Sequence, residues 1–108
     1  MVKQGDIIKL DLSPTAGHEQ SGYRPAVVVS NDFVITKTNV VYVAPITNVI
    51  RPFPLHVVLD ERTKTTGAVL CEQVKAVDLN AWQFTIIEHL PRDVFNDILT
   101  RVIGCFDA

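Results

Sequence analysis

The chain has 108 residues, a formal charge of −2 and 47% hydrophobic residues. That is one domain with enough apolar side chain for its own core, and it excludes disorder and a disulfide scaffold. No apolar run approaches the roughly 18 residues of a membrane span, and the start, Met1 to Asp6, has no signal-peptide h-region. Cys71 and Cys105 are far apart and form no CxxC, so free thiols in a reducing cytoplasm are expected. The charge is uneven. Residues 1–75 carry eight Lys/Arg against seven Asp/Glu, and residues 76–108 two against five. A nucleic-acid site here would work by local placement rather than by a strong overall field.

In chain order, Ile7 to Leu12 reads as a strand with Lys9 and Asp11 outward, ended by Ser13-Pro14. Thr15 to Tyr23 is a loop with two glycines. Ala26 to Ser30 is a central strand, apolar on both faces. It is preceded by Pro25, which fixes φ and biases Arg24 toward extended geometry at the strand's mouth. Asn31-Asp32 signals a turn, and Phe33 to Thr38 a short helical turn. A third strand covers Asn39 to Ala44 and stops at Pro45; a fourth covers Leu55 to Leu59. Asp60 to Gly67 is a charged, Thr-rich loop. Ala68 to Val77 is a fifth strand, bent near Glu72-Gln73, and Phe84 to Glu88 a last short one. From Pro91, Val94, Phe95, Ile98, Leu99, Val102, Ile103 and Phe106 recur at three-and-four spacing, an amphipathic helix stopped near Gly104. The pattern predicts a mainly β fold, a small curled barrel with a C-terminal helix.

The side chains with chemistry cluster in His18-Glu19-Gln20-Ser21-Gly22-Tyr23-Arg24. Arg24 suits a phosphate, whose oxygens match its fork of donors; the lesser alternative is a structural pair with a nearby carboxylate such as Glu19. Histidine as a residue type titrates near neutrality, which makes His18 the default acid/base group, but neighbours in an extended loop point apart, so at most one of His18 and Glu19 need face a site. Thr47 at a strand end reads as a turn hydroxyl on its own. Glu72 interrupts an apolar strand, so it faces a groove or pairs with Arg24 or Lys75. His18, His56 and His89 lack metal-ligand spacing, and neither a metal nor another cofactor is expected.

Five blocks in register carry a resemblance. They are Gly5-Asp6-Ile7, Leu12-Ser13-Pro14-Thr15-Ala16-Gly17-His18-Glu19-Gln20, Arg24-Pro25-Ala26-Val27-Val28 (with Gly22 just before), Ala44-Pro45-Ile46-Thr47 and Cys71-Glu72-Gln73-Val74-Lys75. Together they resemble the MazF/PemK/Kid toxins of bacterial toxin–antitoxin pairs, over nearly the whole chain. The resemblance implies an SH3-like barrel and a metal-independent, sequence-specific endoribonuclease that cuts single-stranded mRNA. It makes Arg24 catalytic, with Thr47 beside it. Glu19 (or Glu72) is then the base and His18 the acid. Glu72, Gln73, Tyr23, Arg51 and Phe53 are candidates for holding RNA. Kid-like members carry Arg-Cys-Asp-Gln where this chain has Leu70-Cys71-Glu72-Gln73, so their acid and base assignment does not transfer whole. The family works as a homodimer silenced by an antitoxin whose flexible tail enters the groove, and Phe33 and Phe53 could receive it. The alternatives are a CcdB-like gyrase-inhibiting toxin and a non-catalytic RNA- or partner-binding module.

Overall fold

The structure, a computed structural model, describes residues 1–11 and 23–107, without the side chains of Asp11 and Tyr23. The strands are β1 (Asp6–Asp11), β2 (Tyr23–Val28), β3 (Val40–Thr47), β4 (His56–Val58), β5 (Ala68–Leu70), β6 (Lys75–Asp78) and β7 (Phe84–His89). The helices are α1 (Asp32–Thr38) and α2 (Arg92–Gly104). The sheet runs β4-β5-β3-β2-β1-β7, every pair antiparallel, and β6 also pairs with β3. This is the barrel-like, mainly β fold with a C-terminal helix that the sequence predicts.

The middle of the sheet is buried on both faces, as the unbroken apolar run from Ala26 requires. Ile7, Val27, Ala44, Ile46 and Val69 share one core with Ile98 and Val102 of α2. Ile8, Leu10, Ala26, Val28 and Val43 share another with Ile35 of α1. The stripe on α2 is truer at its start than at its end. Ile98 and Val102 are buried, whereas Ile103 and Phe106 lie in solvent. The short helix α1 is closed by its caps. The Asn31 side chain accepts the Val34 N–H, and Asn39, at φ 58°, donates its backbone N–H to Ile35.

Three differences from the sequence pattern bear on the site. The β2 strand begins at Tyr23, not Ala26, because Arg24 pairs with Leu10 and Pro25 with Lys9. β3 does not stop at Pro45 but reaches Thr47. Along its outer edge it pairs with β6 from Val40 to Val43 and with β5 from Ile46, so Pro45 falls where the ladder changes partner and its missing N–H costs little. The expected bend at Glu72-Gln73 is a full break, a 3₁₀ turn at Cys71–Gln73 that separates β5 from β6.

Candidate active site

The β2–β3 ladder runs from Val28–Val43 to Ala26–Pro45. Continuing its register by two residues, still inside both strands, sets Arg24 opposite Thr47 on one face. Pro25 and Pro45 supply no N–H at this end, so the two strands lie side by side where their hydrogen bonding has stopped. Each stays fixed from its other side: Arg24 by the pairing with Leu10, Thr47 by the pairing with Ala68. The row goes on through Ala68 to Val58. Arg24 is exposed and Thr47 half-buried. A guanidinium and a hydroxyl thus share one face of a rigid sheet end. Asp11 pairs with Tyr23 next to Arg24. The connection carrying His18 and Glu19 therefore leaves and rejoins the sheet beside Arg24. His18 and Glu19 themselves, and the Tyr23 side chain, lie outside the described residues.

The Thr47 hydroxyl accepts the Val49 N–H at 3.1 Å. The turn role read from sequence is real, and the O–H proton is still available to donate. Behind Thr47 sits Gly67, at φ +122°; a Cβ there would lie 2.4 Å from the Thr47 carbonyl oxygen. Only glycine allows this close approach.

Glu72 finds neither Arg24 nor Lys75. Its carboxylate is 3.1 Å from His56 Nε2 and accepts a longer bond from the Gln73 amide at 3.4 Å. His56 reaches it because it pairs with Leu70, just before the 3₁₀ turn. Burial works to raise the Glu72 carboxyl. Hydrogen bonds from His56, from its own backbone and from Gln73 outweigh that and hold it below the ordinary glutamate range. The other ring nitrogen of His56, Nδ1, is buried with no hydrogen-bond partner among the described residues. The ring also meets Phe53 edge-on at 5.0 Å. Phe53 is half exposed, on the same β3–β4 connection as the exposed Arg51. Phe53, His56, Glu72 and Gln73 therefore form one polar and aromatic cluster. Phe33 stands on α1, exposed, with the Lys37 ammonium 5.9 Å from its ring centre.

Sequence reasoning missed two parts of this scaffold. One is the His56–Glu72 pair, invisible without the β4–β5 register. The other is Glu88, whose carboxylate accepts the Lys64 N–H at 3.1 Å and the Thr65 N–H and hydroxyl at 2.8 Å each. Burial raises the Glu88 carboxyl, but these bonds bring it below its usual range. Arg62 ties the same loop to α2 by gripping both Asp60 and Asp93. Among the described residues, no three His, Cys, Asp or Glu side chains group as metal ligands, and no helix is long and apolar enough to cross a membrane.

The chain is similar to known proteins over most of its length. The Escherichia coli endoribonuclease PemK is 34% identical over 105 residues, covering 94% of this chain and 79% of that protein. The endoribonuclease toxin MazF of Escherichia coli K12 is 39% identical over 79 residues, 73% of this chain and 68% of that one. The crystal structure of MazF from Deinococcus radiodurans superposes with a TM-score of 0.82 at 26% identity, over 97% of this chain and 96% of that chain. The model of the PemK-like, MazF-like toxins of type II toxin–antitoxin systems matches residues 3–106, and the chain belongs to that family.

Proposed function

We propose that this toxin is an endoribonuclease that cuts single-stranded mRNA at a short sequence, without a metal, by attack of the substrate's own 2′-hydroxyl. The observation that carries the reading is the Arg24–Thr47 row at the open end of the β2–β3 ladder, in a chain of this family. Arg24 places a fork of donors, always protonated, against the non-bridging oxygens of the scissile phosphate. Its charge grows in value as the phosphorane forms. The Thr47 hydroxyl donates its one free proton to the same oxygens. Arg24 is not the acid, since a guanidinium does not give up its proton in this range. Glu19 is the base that takes the 2′-hydroxyl proton, and His18 gives one to the leaving 5′-oxygen. The products are a 2′,3′-cyclic phosphate and a 5′-hydroxyl.

Glu72 is a poor base, because its carboxyl is held below the usual range. Fixed by His56, it is an acceptor for the N–H groups of a splayed base, while Phe53 offers a stacking face. Gln73, Arg51 and Tyr23 complete the contacts with RNA. The toxin works in the cytoplasm as a homodimer. A flexible antitoxin tail, extended over the groove with apolar anchors, blocks it.

The test is cleavage of a long single-stranded RNA in EDTA by the wild type and by Arg24→Ala, with the ends mapped. Cuts at one short motif, cyclic-phosphate ends and a variant slowed by about 10²-fold or more are expected. Intact RNA, from protein that still arrests growth, overturns the reading in favour of a gyrase-type target.

A further inference from the structure

On the opposite face of the sheet from Arg24 lies a second groove of about 410 Å³. Its walls are Lys9, Pro25 and Ile87 on one side and Asn48 with residues 64–66 on the other. Lys9 and Pro25 are paired residues of β1 and β2. Lys64 and Thr65 are held in place by the Glu88 carboxylate. Asn48 is set by Thr66, whose hydroxyl donates to its side-chain oxygen at 3.1 Å. That bond takes up an acceptor of Asn48 and leaves its NH₂ to donate. Among the described residues, neither lysine ammonium pairs with a carboxylate. Glu88, the acidic group that feels the Lys64 charge, already accepts three bonds. The charged and amide groups left over are two ammoniums and an amide NH₂, beside the Thr65 and Thr66 hydroxyls and above an apolar floor of Pro25 and Ile87.

We infer that this groove is a nucleotide subsite, in which Lys9 and Lys64 hold the backbone phosphate next to the scissile one and Pro25 and Ile87 receive its ribose or base. Two ammoniums without a paired carboxylate, with an amide NH₂ beside them, suit phosphate oxygens, and the volume lies in the range of small-ligand sites. Chain continuity favours RNA as the occupant. Successive residues of a strand face opposite sides, so Pro25 follows Arg24 and Asn48 follows Thr47 across the same rim. A strand with its scissile phosphate on Arg24 and Thr47 reaches the groove by passing over that rim. The assignment rests on the endoribonuclease reading.

The test uses a single-stranded oligonucleotide carrying the mapped cut site, 2′-deoxy at the scissile position so that it binds without being cut. Its affinity is measured against salt for the wild type, Lys9→Gln/Lys64→Gln and Lys9→Arg/Lys64→Arg. Each phosphate neutralised on a single strand contributes about 0.7 to the slope of log K against log salt. The glutamine pair should flatten the slope by about 0.7, for the one phosphate the two lysines share, the arginine pair should restore it, and the difference should vanish when flanking nucleotides are trimmed. An unchanged slope, with wild-type protein that cleaves RNA, overturns the subsite alone. So does a glutamine pair that loses only affinity for an acidic antitoxin peptide. Wild-type protein that leaves RNA intact overturns the endoribonuclease reading and the subsite with it.

Discussion

Gly67→Ala tests the link between the fold and the site. The residue has a φ of +122°, where an L side chain is strained. Holding alanine in such a region costs about 1–3 kcal/mol. The new Cβ would also stand 2.4 Å from the Thr47 carbonyl oxygen and 3.0 Å from the Thr47 carbonyl carbon. Both obstacles are backbone, so β3 and β5 must part by about 1 Å to reach ordinary contact. Overpacking of this kind costs about another 1–3 kcal/mol. A loss of about 3 kcal/mol lowers the Tm of a domain this size by about 12–24 °C. The movement falls on Thr47 itself, and a misplacement of about 1 Å costs about 10²-fold in rate. Equilibrium urea unfolding at one fixed protomer concentration gives the first number, and cleavage by the folded fraction gives the second. Gly104→Ala is the control. Nothing lies within 4 Å of its Cβ position, at the end of α2, so it should be neutral or stabilise by up to about 1 kcal/mol. A Gly67→Ala protein that loses less than about 1 kcal/mol and cleaves normally would refute the reasoning.

Three further outcomes are expected. Thr47→Val should slow cleavage by about 10²-fold with little change in urea midpoint, because the Val49 N–H it abandons is at the surface; Thr47→Ser should keep most of the rate. Glu72 and Glu88 both titrate lower in the folded chain than their ordinary value of 4.5, so each adds stability above that value and loses it as pH falls through the folded one. Urea midpoints should therefore drop between about pH 5 and pH 3, and the gap between wild type and Glu88→Gln should close over the same window. Burial pushes the Cys71 thiol up to about 11, so iodoacetamide at about pH 8 should leave Cys71 unlabelled in the native protein and label it once urea unfolds the chain.

What the sequence reveals, and what it hides, follows from range. The central strands were legible because residues 26–29 are apolar at every position, which only a strand buried on both faces tolerates. The α2 helix was legible from its spacing, but that spacing cannot tell Ile98, which meets the sheet, from Phe106, which runs past it. The ends of β2 and β3 were misplaced for one reason. Pro25 and Pro45 are strand breakers in isolation, and only the pairing of their neighbours shows each at a point where no donor is required. Arg24 and Thr47 could be picked as residues, with the family resemblance, but their opposition is a matter of register. The His56–Glu72 bond spans 16 residues and Glu88 reaches 23 or 24 residues back to its loop, distances over which one sequence carries no pairing signal.

The hydrogen bonds already made around the site decide which chemical roles remain. Thr47 accepts from Val49, and a hydroxyl so engaged is oriented with its proton outward. It can stabilise an oxyanion, yet it has little to gain as a base, because taking a proton would compete with the bond that positions it. Glu72 is in the reverse position. It is an acceptor with donors already on it, which lowers its appetite for a proton while sharpening its direction. A group made less basic but better aimed suits recognition rather than proton transfer. In the proposed mechanism the two residues therefore divide along the strand order, with charge stabilisation assigned to the β2–β3 row and base reading to the 3₁₀ turn that follows β5. The proposed mechanism gives the proton transfers to His18 and Glu19, in the connection between β1 and β2. Glu72→Gln separates these roles. It keeps the shape, replaces one acceptor oxygen by a donor, and should change which bases flank the cut while leaving the cyclic-phosphate chemistry intact. A mutant that cuts the same motif about 10²-fold more slowly would instead make Glu72 the base.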